Sequence, residues 1–452
     1  MFKKRLKKII FFGIILIIIA IASAAGIFYY KNDNLQKNLK ESLAPQYKTV
    51  AENDLYVRFV MEAYDSIEKN YWMKPGNYKT HNSPELPELF NLSLKKAANL
   101  TETPKATDRN STAEALATTF SNATSSDAKK QLALQTITVL TYNLLPLGRN
   151  GLFSEQQQIA LRQEVSNINP TNDLYENLGL EKGASPKQIE SAYEKKAAVL
   201  KKDTSAEAKA ELKKIAYAKN VLTDENSKAL YDEVKVEPTV FSRIIGNTLY
   251  IYFKKISPTS LQEFGIAVMN ASTTKGLNNM IIDLRGNIGG DLAFSFNFLG
   301  LFIGPNQYVF DLFRNGDYLP IRTTQPKFDA ISRYKEIAVL TDNKTQSTAE
   351  LTTAALKRLN IAHAVGAPTA GWGTIENTYP LETVIDPGQK YSLYLVNHIT
   401  LGDDNQPIEG KGIIPDVDIK SSDWKTQLKK YFNSESFIQI IRQRVVEQPL
   451  LY

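Results

Sequence analysis

The sequence predicts an α/β protein preceded by a transmembrane helix, a helical N-terminal region and a small all-α unit. Three observations carry that expectation. Short apolar runs alternate with helical segments between Pro238 and Lys420, as in a sheet covered by helices. Two apolar stripes at spacings of three and four lie between Asn172 and Glu233, as a pair of packed helices requires. An uncharged run from Ile9 to Tyr30 follows a cluster of five cations.

That N-terminal segment, residues 1–31, reads as a membrane address. Lys3, Lys4, Arg5, Lys7 and Lys8 precede the 22 uncharged residues, which as a helix at about 1.5 Å per residue would cross a bilayer core of about 30 Å. Positive residues stay inside, so the N-terminus is expected in the cytoplasm and the rest of the chain outside, in a single-pass cell-membrane protein. The competing reading is a signal peptide cut after Ala22-Ser23-Ala24; the apolar character continuing through Ile27 to Tyr30 favours a retained anchor.

Residues 32–170 form a helical region, in which Tyr56, Phe59, Val60 and Ala63 share one helix face. The Ser/Thr/Asn-rich stretch from Asn99 to Ser126 reads as a linker or exposed loop. Leu132 to Leu145 is a second apolar helix, stopped by Pro146 and a turn at Gly148 to Gly151.

Residues 171–235 are a compact helical unit. Ile189, Tyr193, Ala197 and Leu200 make one stripe, starting after the capping pair Ser185-Pro186; Ala208, Leu212, Ile215, Ala218 and Leu222 make the second. The segment resembles a J-domain in Asp173-Leu-Tyr-Glu-Asn-Leu-Gly-Leu, Gly183-Ala-Ser, Ile189, Ala192-Tyr193, Val221-Leu222-Thr-Asp224 and Tyr231-Asp232. In that family a His-Pro-Asp tripeptide engages an Hsp70 partner. Here the position holds Lys201-Lys202-Asp203, so a packing or binding role is expected and an Hsp70 partner is not.

Residues 236–420 hold the informative chemistry. Strands are expected at Thr248–Phe253, Met280–Leu284, Ile337–Leu340 and Ala362–Val365, with helices at Ser260–Ala271, Asp291–Leu301 and Ser347–Leu359. Ligand sites in such folds lie at the carboxyl ends of strands, where two loops fall: Asp283-Leu-Arg-Gly-Asn-Ile-Gly-Gly290 and Thr341-Asp-Asn-Lys-Thr-Gln-Ser347-Thr-Ala-Glu350. Ser347 and Glu350 fit a capping box at a helix start. The same place suits a nucleophile, because unpaired N–H groups and the positive dipole end there stabilise an oxyanion. Residues 421–452 form a tail, with Trp424 to Val446 an amphipathic helix packing on the core.

Composition excludes other chemistry. The chain has 452 residues, no cysteine, three histidines and a net charge of +6. Five of those positive units sit in the first eight residues, leaving the remainder close to neutral. Thiolate chemistry is excluded, no phosphate loop or His-Glu-x-x-His is present, and no metal or cofactor is expected. Basic residues elsewhere are interleaved with acids, which argues against nucleic acid.

The α/β part resembles the tail-specific (C-terminal processing) serine peptidases of family S41. Asp283 to Gly290 resembles that family's Asp-Leu-Arg-x-Asn-x-Gly-Gly loop, Val339 to Glu350 its nucleophile segment, and Val365-Gly-Ala-Pro-Thr369 and Ile408 to Asp416 two further blocks in order. The resemblance implies a ClpP/crotonase-like core and protein or peptide substrates. It also implies Ser347 as nucleophile, with an oxyanion hole from the N–H of Thr348 and that of Gly289 or Gly290. Members usually carry a PDZ domain; no such pattern is found here, and the J-like unit takes its place.

The family's general base is a lysine 25 positions after the serine, with a glutamine four further on. Here those positions hold Trp372 and Glu376. His398 is the replacement base considered first, with Glu376 as its orienting carboxylate. His81 is the other candidate, and His363, between alanines on an apolar strand, reads as a core residue. Two functional classes follow: a membrane-anchored extracytoplasmic serine endopeptidase with a rearranged base, and a degenerate pseudopeptidase acting as a protein-binding scaffold.

Overall fold

The computed structural model describes residues 49–73 and 84–451. The expected anchor at 9–30 and His81 lie outside the described residues. Among those described, no helix is long and apolar enough to cross a membrane.

Four helices open the described chain: α1 (Leu55–Asn70), α2 (Leu86–Ala97), α3 (Arg109–Ser121) and α4 (Ser126–Asn143). Asp54 caps α1 by accepting from the N–H groups of Tyr56 and Val57. The expected face is present: Phe59, Val60 and Ala63 are buried, with Tyr56 partly so. The stretch expected to be a loop contains α3. Asp108 caps it, and Ala113, Leu116 and Phe120 enter the core. Its many hydroxyls are satisfied along the helix, Thr112, Thr118 and Thr119 each donating to the carbonyl four residues back, so polar composition does not oppose helicity here.

After β1 (Gly151–Ser154) and α5 (Glu155–Val165) comes the helical unit: α6 (Leu174–Leu178), α7 (Pro186–Leu200), α8 (Ala206–Thr223) and α9 (Glu225–Val234). Both expected stripes point inward. Ile189, Ala197, Ile215, Ala218 and Leu222 are buried with Leu174, Tyr175 and Tyr231. Tyr231 closes the unit, accepting from Leu174 N–H and donating to Asn172 O. The unit is tied to the next by Tyr217, which donates to buried Glu237 at 2.5 Å and packs on Phe241.

The principal sheet has six strands in the order β11 (Val417–Asp418), β8 (His363–Gly366), β7 (Glu336–Thr341), β4 (Asn279–Asp283), β3 (Thr248–Phe253) and β2 (Val240–Ile245). All pairings are parallel except the terminal β2–β3 hairpin. Every residue of β3 is buried, as expected for a strand covered on both faces. Leu249, Ile251 and Phe253 face a core with α10 (Ser260–Ala271), α11 (Leu292–Ile303) and α12 (Thr348–Arg358), whereas Tyr250 and Tyr252 face the C-terminal helices. Those are α13 (Trp424–Gln427) and α14 (Glu435–Arg444), not the single helix expected over 424–446. Between them Glu336 accepts from the N–H groups of Asn433 (2.6 Å) and Ser434 (3.1 Å), and Ser434 caps a new helix.

A second sheet was not anticipated. Its backbone is β10 (Tyr391–Thr400), which pairs with β1, β9 (Thr374–Leu381) and β5 (Tyr308–Arg314); β6 (Asp317–Arg322) completes the β5 hairpin. Leu381, Leu393, Leu395 and Val396 of this sheet share a core with α1 to α4. The N-terminal helices thus roof one end of the molecule, and a cleft of about 710 Å³ remains between the two sheets.

Candidate active site

Two loops at the carboxyl ends of β4 and β7 are stitched together. Thr345 donates its hydroxyl to Leu284 O (2.9 Å), Gln346 N–H to Asn287 O (2.8 Å), Gly286 N–H to Asp342 Oδ1 (2.9 Å), and the Thr348 hydroxyl to Gly290 O (2.9 Å). Below them Asp283 is fully buried, held by Arg285 and by the Tyr250 hydroxyl at 2.6 Å. Arg285 also donates to the carbonyls of Val445 (2.9 Å) and Glu447 (2.6 Å).

Ser347 stands at the N-cap of α12 with φ 53° and ψ −124°, a conformation that L-residues with side chains rarely adopt and that is retained only where the surroundings over-determine it. Its side chain makes no cap bond; the firm half of the capping box is Glu350 Oε2, which accepts from Ser347 N–H at 2.8 Å. The hydroxyl is left to the cleft. Gly289 lies hard against it: a Cβ there would come within 2.8 Å of Ser347 Cβ and 2.9 Å of Thr348 N. Only glycine permits that approach.

Gly289 N–H is already committed to Asn287 Oδ1 at 2.8 Å. Gly290 has no such side-chain partner for its N–H among the described residues, and a Cβ on it would collide with Ile256 O at 1.8 Å.

Glu350 joins the two sides of the site. It is fully buried and accepts four bonds: from Ser347 N–H, Thr369 Oγ1 (2.6 Å), Gly371 N–H (2.7 Å) and Trp372 N–H (2.8 Å). Burial pushes its pKa up while these donors pull it down; four donors and no acceptor describe a carboxylate.

Trp372 fills the position expected for a lysine. Its indole Nε1–H donates to Glu376 Oε1 at 3.0 Å, and the Arg149 guanidinium stacks 3.6 Å from the ring centroid. Arg149 comes from the turn after α4, pairs with Glu409 at 3.0 Å, and was not singled out from the sequence. Glu376 takes a second bond from Thr374 Oγ1 on the same oxygen. Burial raises its pKa, opposed by Thr374, Trp372 and the Arg149 charge.

The histidines are elsewhere. His398 lies on β10, as expected of a strand residue, but does not line the Ser347 cleft. It is half-buried near Arg314, and burial with that charge pushes its pKa down to about 4. The geometry therefore does not support His398 as the base, nor Glu376 as its orienter: Glu376 instead holds Trp372. His363 is partly buried against Tyr431 and Phe432. Lys255 lines the cleft and was also missed; it donates to Glu164 O (2.8 Å) and pairs with the Glu164 carboxylate. Among the described residues no cluster of His, Asp and Glu has the arrangement of a metal site.

Comparison with known proteins agrees with this organisation. Residues 247–419 match Peptidase family S41, and residues 173–232 match the DnaJ domain. A "Probable CtpA-like serine protease" of Staphylococcus aureus (strain bovine RF122 / ET3-1) is 29% identical over 183 residues, covering 40% of this chain and 35% of that protein. The "Carboxy-terminal processing protease CtpA" of Bacillus subtilis (strain 168) is 28% identical over 195 residues, 43% of this chain and 39% of that one. The matches thus span little more than a third of these curated relatives. Among solved structures, a lipoprotein from Streptococcus agalactiae aligns over 85% of this chain and 96% of its own, with a TM-score of 0.45 and 14% identity. The chain therefore carries a peptidase domain of family S41, residues 247–419, preceded by a DnaJ-type helical domain, residues 173–232.

Proposed function

We propose that this protein is a serine endopeptidase of the tail-specific class, tethered by residues 9–30 to the outer face of a cell membrane and cleaving protein or peptide substrates. The observation that carries the reading is Ser347: a positive-φ backbone at a helix N-terminus, its hydroxyl donating to no described group, packed against a glycine that admits no side chain. Ser347 Oγ attacks the peptide carbonyl, and the N–H groups of Thr348 and Gly290 receive the oxyanion. The leaving amine departs, and water releases the acyl-enzyme. The preserved block order around Asp283 and Ser347 supports the class, and the charge asymmetry of the first eight residues supports the orientation.

The DnaJ-type unit acts in this reading as a packing or binding module. Its Lys201-Lys202-Asp203 turn lacks the family's histidine and proline, and Asp203 Oδ1 is turned back onto Ser205 N–H at 2.8 Å. A second reading, a scaffold without activity, draws on one observation: Trp372 occupies the lysine position and is fixed there by Arg149 and Glu376.

A fluorophosphonate that does not cross membranes, applied to intact cells producing the full chain, separates the two. Labelling of a membrane-associated band that disappears in Ser347→Ala is expected. No Ser347-dependent label on the purified protein across pH 6 to 9 would leave the scaffold reading standing.

A further inference from the structure

A serine hydroxyl needs a proton acceptor to become nucleophilic, and none of the described residues lining the Ser347 cleft is a histidine. The charged groups there are Arg149, Glu164, Lys255 and Glu376. A guanidinium does not deprotonate, and Arg149 is paired with Glu409. Lys255 is turned to Glu164, donating to its backbone carbonyl and pairing with its carboxylate. Glu376 has no ion-pair partner among the described residues. Trp372 and Thr374 both bond its Oε1 and leave Oε2 unoccupied by either.

Trp372 supplies the geometry. Its backbone N–H and that of Ser347 share Glu350 Oε2 at 2.8 Å each, so the two nitrogens are separated by no more than twice that distance. From this point beside Ser347 the Trp372 indole reaches Glu376 and holds one of its carboxyl oxygens. The Tyr394 hydroxyl of β10 comes within hydrogen-bonding reach of the same carboxyl, and Arg149 approaches from the turn after α4.

We propose that Glu376 is the general base for Ser347, with Trp372 as the bracket that aims it. The proposal rests on the peptidase reading above and names the residue that reading leaves open. As Ser347 Oγ bonds the carbonyl carbon, its proton passes to Glu376 Oε2 and the carbonyl π pair moves to the oxygen facing Thr348 and Gly290. Collapse breaks the C–N bond, and the proton passes from Glu376 to the leaving nitrogen. Water repeats the sequence in reverse roles, which returns the carboxylate. Buried carboxyls held above their ordinary range suit this role near neutral pH.

The test is the rate of fluorophosphonate labelling of purified full chain against pH. Glu376→Gln keeps an oxygen for Trp372 and Thr374 but takes no proton, so labelling should fall about 100-fold or more, with the thermal midpoint little changed. The wild-type rate should rise with pH through the Glu376 ionisation, and that limb should vanish in Glu376→Gln. Glu376→Asp, which keeps a titrating carboxyl, should retain the limb at a lower plateau. Equal rates in the wild type and Glu376→Gln would overturn the proposal while leaving Ser347 as nucleophile. So would a collapse in Lys255→Met with Glu376→Gln unaffected. Absence of any Ser347-dependent label in the wild type would defeat the peptidase reading itself, and this proposal with it.

Discussion

On one wall of the cleft, four hydrogen bonds stitch the Ser347 turn to the glycine loop, and glycines sit where no side chain fits. On the other wall the Trp372 segment is held by side chains: Glu350 beneath it, Arg149 on its ring face and Glu376 at its indole nitrogen. Backbone geometry defines the nucleophile wall, and side-chain chemistry defines the base wall. A Cβ at Gly289 or Gly290 would meet backbone atoms within 3 Å, whereas the Trp372 ring meets side chains, Arg149 and Glu376.

Three perturbations probe the contrast. Gly290→Ala should do the most damage, because the new Cβ would sit 1.8 Å from Ile256 O at a φ of +143°. A stability loss of about 3–5 kcal/mol is expected by chemical denaturation, with label lost as well; a fully folded, labelling variant would show that the nucleophile wall is softer than its contacts imply. Arg149→Ala should cost about 1–2 kcal/mol through the lost stack on Trp372. It also removes a charge that lowers the Glu376 pKa, so the acidic limb of labelling should move to higher pH. An unmoved limb would separate Arg149 from the chemistry. The smallest effect is expected at His398, off the cleft. Its folded pKa of about 4 lies below the ordinary histidine value of about 6.5. The unfolded chain therefore binds a proton that the folded one refuses. Stability is complete above about pH 6.5 and declines toward pH 4, by at most about 1.4 kcal/mol per pH unit from this group. His398→Asn should flatten that decline in denaturation series at pH 7.5, 5.5 and 4.5, without altering label at pH 7.5.

Parts of the molecule with local periodicity were legible in the sequence. Thr248–Phe253 and Ser260–Ala271 have the expected bounds, and both stripes of the DnaJ-type unit face its core. Ser347 and the glycine loop were singled out through sequence blocks that resemble a known family, and the structure places those two loops side by side. The second sheet was not: β10 gains its place by pairing with β1, β5 and β9, segments up to about 240 residues away, and nothing local to it announces those partners. α3 was hidden by hydroxyls that bond within their own helix. Arg149 was hidden for another reason. A turn between Pro146 and Gly151 gives no sign that it will be carried onto Trp372, more than 200 positions later.

The bonds from Arg285 to the carbonyls of Val445 and Glu447 bear on the order in which the site is completed. These acceptors leave the ribosome 160 and 162 positions after the arginine they fix. A nascent chain therefore exposes Ser347 well before the glycine loop beside it acquires its final clamp. If activity requires that clamp, the chain cannot cut its neighbours, or itself, while it is still being made.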